Sequence, residues 1–174
     1  LDLNFDSGSE GGRCVASGTF MSGYKPTVGT SSVAPGGTET AFVKTIYDFT
    51  TKTLGGSDVV AKSFSLSFGY PATRVGFQGA NADAEQYARS GEYALSGTIS
   101  VKYDQNTDQE LGQFLAGSTR AIVMGDGSTI NFSVPTVVYT GYTIDLGDSE
   151  EGAFVDVPFE ATANAGANLF SIIV

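Results

Sequence analysis

Residues 62–68 read Lys62-Ser63-Phe64-Ser65-Leu66-Ser67-Phe68, and from Ser63 onward serine alternates with a large apolar side chain. Successive side chains of a β-strand point to opposite faces, so an alternation with a period of two indicates a strand with one buried face. The stretch therefore predicts a strand that buries Phe64, Leu66 and Phe68.

The same period recurs further along the chain. Apolar side chains of one parity in residues 91–104 predict a second strand; they are Tyr93, Leu95, Ile99, Val101 and Tyr103. Further strands are predicted at residues 120–124, 129–134, 137–146, 153–162 and 169–174. Gly125-Asp126-Gly127 is a hairpin turn between the first two of these, and Pro135 is expected to end its strand or to place it at a sheet edge.

One short helix is predicted near residues 107–117. Thr107 and Glu110 have the spacing of a capping box, and Asp108 adds negative charge at the positive end of the helix dipole. We expect Leu111, Phe114 and Leu115 to form its apolar face, and Gly117 to end it.

These elements predict an all-β fold, a β-sandwich or β-barrel of seven to nine strands with one short helix. Residues 1–40 are rich in Gly, Ser, Thr and Pro and are expected to form a flexible arm or loop region, so the domain is predicted over residues 41–174. Residues 70–90 interrupt the pattern and are expected to form a long exposed connection of the kind that carries function or assembly contacts.

Composition restricts the function. Nine Lys and Arg against nineteen Asp and Glu give a formal charge of −10, which argues against attraction to nucleic acid or to an anionic membrane. The 174-residue chain has no apolar run of about 20 residues that would span a membrane. It has no histidine, which removes the usual general base, and its single cysteine, Cys14, cannot form an intrachain disulfide. We therefore expect a protein that is not an enzyme, with no catalytic residues.

Two clusters of acidic residues are candidate metal sites. Asp104, Asn106 and Asp108 match the first ligands of a calcium loop, but Gln109 and Leu115 stand where that loop needs Gly and Glu, so a capped helix explains them better. The acids around residues 145–151 fit a solvated hairpin turn better than a divalent-ion site. The glycine clusters match no nucleotide-binding motif. We therefore predict no metal and no cofactor.

From residue 59 onward, the order of motifs resembles the tail-tube (major tail) proteins of long-tailed bacteriophages. The serine-alternating strand is followed by a glycine-led strand that ends at Asp104 and by the short segment at residues 109–115. A hairpin that ends in Asn131-Phe132-Ser133-Val134-Pro135 comes next, and Val157-Pro158-Phe159-Glu160-Ala161 precedes the last strand. Residues 1–58 match less well, and family members tend to be longer, so this chain is expected to be one domain of a larger tube protein.

The resemblance implies a structural virion subunit, made in the cytoplasm of a bacterial host, that forms stacked hexameric rings. Its partners would be its own copies and other tail proteins, and DNA would pass through the tube without specific binding. An acidic wall would repel phosphates, and the candidate lumen-facing acids are Asp145, Asp148, Glu150, Glu151, Asp156 and Glu160. The alternative is a carbohydrate- or surface-binding β-sandwich module that would use Tyr47, Tyr139 and Tyr142 as surface aromatics.

Overall fold

The computed structural model describes residues 2–6, 14–19, 45–69, 72–76, 86–89, 94–127, 130–146, 152–162 and 171–173. These ranges contain thirteen strands and one α-helix. The elements are β1 (Asp2–Asp6), β2 (Cys14–Ser17), β3 (Thr51–Leu54), β4 (Ser57–Asp58), β5 (Ala61–Gly69), β6 (Ala72–Val75), β7 (Gln86–Arg89), β8 (Ala94–Lys102), α1 (Gln105–Leu115), β9 (Arg120–Gly125), β10 (Asn131–Tyr139), β11 (Thr143–Asp145), β12 (Phe154–Ala161) and β13 (Ser171–Ile173). None of the helices in these ranges is long and apolar enough to cross a membrane.

Eleven of the described strands form one sheet. Its order is β2-β1-β5-β8-β12-β10-β9-β3-β4, with β11 also paired to β12 and β13 to β10. All pairs in the sheet are antiparallel. Within the described residues, the two end strands β2 and β4 do not pair with each other, so the sheet is open. The predicted all-β class is confirmed, with more strands than the seven to nine expected.

The sheet curls around its own core. Phe64 in β5 and Phe132 in β10 are three strands apart in the sheet order, a distance of about 14 Å in a flat sheet. Their ring centroids are only 6.2 Å apart, and the ring of Phe159 lies 6.5 Å from that of Phe64. These aromatic contacts require the strands to fold over so that one face of the sheet encloses the core.

The period of two predicts most of this inner face, but Phe68 is only partly buried and Tyr103, just after β8, is 37 % exposed. The buried apolar residues on strands come from six of them: Leu54 in β3, Phe64 and Leu66 in β5, Leu95, Ile99 and Val101 in β8, Ile122 and Met124 in β9, Phe132, Val134, Val137 and Tyr139 in β10, and Val155, Val157 and Phe159 in β12.

Pro135 does not end its strand. It lies inside β10, at a point where the register against β9 shifts between Val134 and Val137. On its other side, β10 pairs with β13 through residues 131–133 and with β12 through residues 137–139. Pro135 therefore occupies a gap in both ladders, where its missing N–H leaves no hydrogen bond unmade.

A second proline divides the strand predicted at residues 137–146. β10 and β11 pair with successive parts of β12, and Pro158 lies between those parts. The Thr140 N–H donates to the Pro158 carbonyl at 2.9 Å, and a side chain at Gly141 would lie 2.9 Å from the proline ring. The predicted single strand is therefore two strands that are separated beside Pro158.

The helix is present, but it begins earlier than predicted. The N-cap is Asp104 rather than Thr107, because the Asp104 carboxylate accepts hydrogen bonds from the N–H groups of Asn106 and Thr107 at 2.9 and 3.1 Å. Gly117 ends the helix as predicted, with a φ of +62° that favours glycine. Leu115 was expected on the apolar face and is 76 % exposed.

Two predicted loop regions contain strands. β1 lies within the predicted arm of residues 1–40, yet it pairs with β5 over five residues, and β2 pairs with β1. β6 and β7 lie within the connection predicted at residues 70–90 and pair only with each other in the described ranges. Most of the remainder of both segments lies outside the described residues, so the domain boundary at residue 40 stays a prediction.

Candidate functional site

The outer face of β5, β8 and β12 is built mainly from polar residues that alternate with the core, and they range from the buried Ser100 to the exposed Ser67, Ser96, Asp156 and Glu160. Three rows cross it in register: Ser63–Ser100–Asp156, Ser65–Thr98–Pro158 and Ser67–Ser96–Glu160. Residues directly opposite each other in antiparallel strands share a face, so these rows form one continuous strip. We call it the hydroxyl-acid face.

Two of the six candidate acids lie on this face. Asp156 and Glu160 are both exposed on β12. Asp145 is exposed on β11, where it pairs with Phe154, two residues before Asp156 on the same face. The structure therefore brings Asp145, Asp156 and Glu160 to one side of neighbouring strands. Asp148, Glu150 and Glu151 lie outside the described residues.

The hydroxyl-acid face is not acidic along its whole length. Lys102 lies opposite Phe154, and the Lys62 ammonium is 5.2 Å from the centroid of the same ring. Lys62 falls at the register shift between Ala61 and Ser63. The half-buried Phe154 on an outward position is thus explained by a cation over an aromatic ring.

An exposed sheet edge adjoins this face. In the described part of the chain β11 pairs only with β12. Ile144 is 42 % exposed and Leu146, just after the strand, is 75 % exposed. Such an edge is a place where another strand can add to the sheet.

The β6–β7 hairpin is a second candidate contact. It is a two-stranded sheet of its own, with Ala72 paired to Arg89 and Val75 to Gln86. Thr73 and Val75 are exposed. An isolated two-stranded hairpin is marginally stable in water, so a neighbour that packs against it would stabilise it.

A buried polar junction fixes α1 to the sheet. The Glu110 carboxylate is almost fully buried and accepts hydrogen bonds from Arg120 Nε at 2.9 Å and from the Tyr139 hydroxyl at 2.7 Å. It also forms an ion pair with the second nitrogen of the Arg120 guanidinium. Arg120 in turn donates to the Gly55 carbonyl at 3.4 Å. The junction thereby joins α1 to β9, β10 and the β3–β4 turn.

Burial and this hydrogen-bond network change the acidity of the groups in the junction. Burial first, and then the hydrogen bond to Glu110, raise the pKa of Tyr139 well above its usual value. The hydrogen bond to Glu110 raises the pKa of Arg120. Both partners therefore keep their protons at neutral pH, as donors to a carboxylate require.

Sequence reasoning assigned Glu110 to a capping box and missed this junction. The helical periodicity of α1 places Glu110 on the same side as Thr107 and Phe114, which is a signal that it faces the sheet. Nothing in the sequence alone pairs it with Arg120 and Tyr139.

The tyrosines proposed as surface aromatics do not form one exposed platform. Tyr139 is buried, with only 4 % of its surface exposed. Tyr142 stacks on Phe114, with ring centroids 6.3 Å apart, and its hydroxyl donates to the Thr107 carbonyl. Tyr47 is 67 % exposed.

The acids weighed as calcium ligands serve the helix terminus. Asp104 caps the helix, and Asp108 accepts a hydrogen bond from the Tyr103 hydroxyl at 3.0 Å. That bond raises the pKa of Tyr103. The capped-helix interpretation of these residues is confirmed, with the cap at Asp104.

Comparison with known proteins gives a structural match. No protein-family model matches the sequence, and no characterised protein matches it in sequence. A solved structure of the tail of an empty gene transfer agent (GTA) particle, from helical refinement with C6 symmetry, has a similar chain, with a TM-score of 0.54 and 11 % identity. The match covers 74 % of this chain and 97 % of that one. A chain in the virion of a native GTA particle gives a TM-score of 0.46 at 13 % identity, over 76 % of this chain and 89 % of that one.

The first match shows that this chain has the fold of a GTA tail chain. The resemblance to tail-tube proteins, inferred from the order of motifs, is confirmed at the level of fold.

Proposed function

We propose that this protein is a non-enzymatic structural subunit of a virion tail, and that it assembles with copies of itself into stacked hexameric rings that form a tube for DNA. It would be made in the cytoplasm of a bacterial host and reside in the virion. Its partners would be neighbouring copies and other tail proteins. The observation that carries the proposal is the fold shared with almost the whole length of a chain from a C6-symmetric GTA tail.

The β11 edge supports assembly within a ring. A strand that adds to an open edge gains main-chain hydrogen bonds, and repetition of one such contact around a symmetry axis closes a ring. The exposed side chains of Ile144 and Leu146 would be covered by the same contact. Burial of apolar surface of this kind contributes about 25 cal/mol for each Å² removed from water.

The β6–β7 hairpin supports contact between copies as well. It extends the connection between β5 and β8, and it is not paired with the main sheet in the described residues. Stacking of one ring on the next would supply the packing that this ribbon lacks within its own subunit.

The hydroxyl-acid face is the surface we assign to the channel. Its serine and threonine hydroxyls and its exposed carboxylates carry no positive charge that would hold a phosphate, and two lysines stand only at its Phe154 end. Asp145, Asp156 and Glu160 would face the lumen, and we extend the proposal to Asp148, Glu150 and Glu151. The formal charge of −10 agrees with a wall along which DNA slides.

A carbohydrate-binding module needs exposed aromatic side chains on which sugar rings can stack. The burial of Tyr139 and the stacking of Tyr142 on Phe114 remove two of the three tyrosines considered for that role. We therefore do not propose this function.

Electron microscopy of the purified protein tests the proposal. Negative-stain images over a range of concentrations should show rings or tubes, and end-on class averages should show six-fold symmetry. Analytical ultracentrifugation of the same samples provides the mass of the assembled species. A protein that stays monomeric at high concentration and in the presence of crowding agents would contradict the proposal.

A further inference from the structure

The helix α1 contributes none of the fully buried apolar side chains of the described core. Those side chains come from the strands, from the 3₁₀-helix at Ile46–Asp48 and from segments next to the strands. The buried residues of α1 are two polar ones, Thr107 and Glu110. Its apolar contribution is limited to partly buried side chains, chiefly Phe114 against Tyr142.

Polar contacts therefore hold α1 in place at both sides of the curled sheet. On one side, the Asn106 side-chain amide donates to the Asp58 carbonyl of β4 at 3.0 Å. On the other, the Tyr142 hydroxyl donates to the Thr107 carbonyl next to β11. Glu110 lies one turn further along the helix and is bound to Arg120 of β9 and Tyr139 of β10. These contacts all lie in the first half of the helix, at residues 106–110.

The helix would not persist without these contacts. It has eleven residues, and isolated helices shorter than about 12–15 residues are marginal in water. Gly112 lies in its interior, and a methyl group there would meet no atom within 4 Å, so this glycine lowers helix propensity without any packing reason.

We propose that α1 is a cover that opens as a unit while the sheet stays folded, and that Glu110 is the latch that holds it closed. Loss of the Glu110 contacts would free the helix from β9 and β10 together, because one carboxylate binds both strands. The core would survive, because its buried apolar residues lie outside α1. Opening would uncover Tyr142, which directly precedes β11, the strand that we assign to assembly. That last consequence rests on the proposed function, whereas the opening itself does not.

Hydrogen exchange followed by mass spectrometry tests the latch, under conditions in which exchange reports the opening equilibrium. In the wild-type protein, amides of residues 109–115 should exchange well before those of β8 and β12. Glu110→Gln keeps the shape of the side chain and removes its charge. We expect it to accelerate exchange in α1 on the order of 100-fold, because it breaks a buried ion pair, with β8 and β12 unchanged.

Two further variants make the result specific. Glu160→Gln removes the same charge from an exposed position on β12 and should leave exchange in α1 unchanged. Gly112→Ala raises helix propensity in open space and should slow exchange in α1 about fivefold, with no effect on the sheet.

Equal acceleration of α1 and the sheet in Glu110→Gln would overturn the proposal, since Glu110 would then stabilise the whole fold. Unchanged exchange in that variant would overturn it too. If Glu110→Gln does not fold, the wild-type order of exchange and the Gly112→Ala result decide, and simultaneous exchange of α1 and β8 would refute a separately opening cover.

Discussion

At the scale of single residues, Gly97 shows how closely the central strands approach each other. It lies in β8 opposite Leu66 of β5 and Phe159 of β12. A Cβ atom at this position would lie 2.1 Å from the Ser65 carbonyl oxygen and 2.6 Å from the Phe159 ring. The ring of Phe159 fills the space that the missing side chain leaves, and the neighbouring backbone cannot retreat without breaking the ladder.

Gly97→Ala should therefore destabilise the protein by about 3 kcal/mol, the upper part of the range for overpacked cores. Chemical denaturation followed by circular dichroism would measure the free energy of unfolding. Gly69→Ala is the matched control, because its new Cβ would lie 3.8 Å from the Ala94 carbonyl, an ordinary contact. A similar cost for both variants would show that the sheet adjusts at Gly97.

Because of Tyr139, the free energy of unfolding of the protein should fall at alkaline pH. Its folded pKa is raised, so above about pH 10 the unfolded chain releases this proton while the folded protein retains it. The free energy of unfolding is unaffected by this group below pH 10 and falls above it, by up to about 1.4 kcal/mol per pH unit for one proton. Burial also raises the pKa of Tyr142, to about 12, which adds a contribution of the same sign.

Tyr139→Phe separates these effects. The variant should lose about 1.5 kcal/mol at pH 8, because Glu110 loses one hydrogen bond. Its further loss between pH 10 and 11 should be smaller than that of the wild type by about 1 kcal/mol, because the unfolded tyrosine is only half ionised at pH 10. Urea denaturation at pH 8, 9, 10 and 11 measures both quantities, and parallel pH curves for the two proteins would contradict this account.

At the scale of elements, the β6–β7 hairpin is separable from the rest of the sheet. Gly69 at the end of β5 pairs with Ala94 at the start of β8, so the chain enters and leaves the hairpin region at neighbouring positions. In the described residues, β5 and β8 pair with each other in the main sheet, and neither pairs with β6 or β7.

Deletion of residues 73–88 should leave a folded monomer that no longer forms rings or tubes. The eight residues that remain between Gly69 and Ala94 are enough to join two paired strand ends. Far-ultraviolet circular dichroism and thermal unfolding would confirm the fold, and electron microscopy would report assembly. If the deletion variant assembles into tubes normally, the hairpin is a surface loop without a role in stacking.

The elements that could be predicted are those whose signal is local. Alternation in β5, β8 and β12 depends only on which side chains each strand buries, so it is visible in the sequence. β1 and β6 carry weaker patterns in Gly- and Ser-rich surroundings, and they become strands because a partner strand is present. The prediction that Pro135 ends its strand is wrong for a related reason, since the effect of a proline depends on where the ladders to the neighbouring strands end.

The candidate site was predictable in part. The sequence names Asp156 and Glu160 as candidates, and the structure places both on the face of β12 that also carries Phe154, opposite the buried Val155 and Val157. The Glu110 junction depends on three elements that meet only in the folded protein, so no spacing of residues in the sequence predicts it.

At the scale of the whole molecule, the hydroxyl-acid face allows a test of the channel assignment. Replacement of both Asp156 and Glu160 by Lys should leave assembly intact, because exposed charges contribute little to stability. It should slow DNA ejection from particles at low salt and increase the retention of DNA by assembled tubes, since each lysine can hold a phosphate. The effect should weaken steeply as salt is raised.

The control for this test is Asp58→Lys, which reverses an exposed acid on β4, away from the face. It should not change ejection. Equal kinetics for the double variant and the wild type at low salt would remove Asp156 and Glu160 from the channel wall.

The position of β12 in the sheet has a consequence for biosynthesis. It lies between β8 and β10, yet it follows both of them in the chain, with only β13 after it among the described strands. As the protein emerges from the ribosome, the β5–β8 and β9–β10 pairs can form early, but they have no common neighbour until residues 154–161 appear. Protease digestion of ribosome-bound chains should therefore yield a resistant core only after β12 has emerged. Until then, the nascent chain carries two bare strand edges, which is the interval in which a chaperone would protect it from mispairing with other copies.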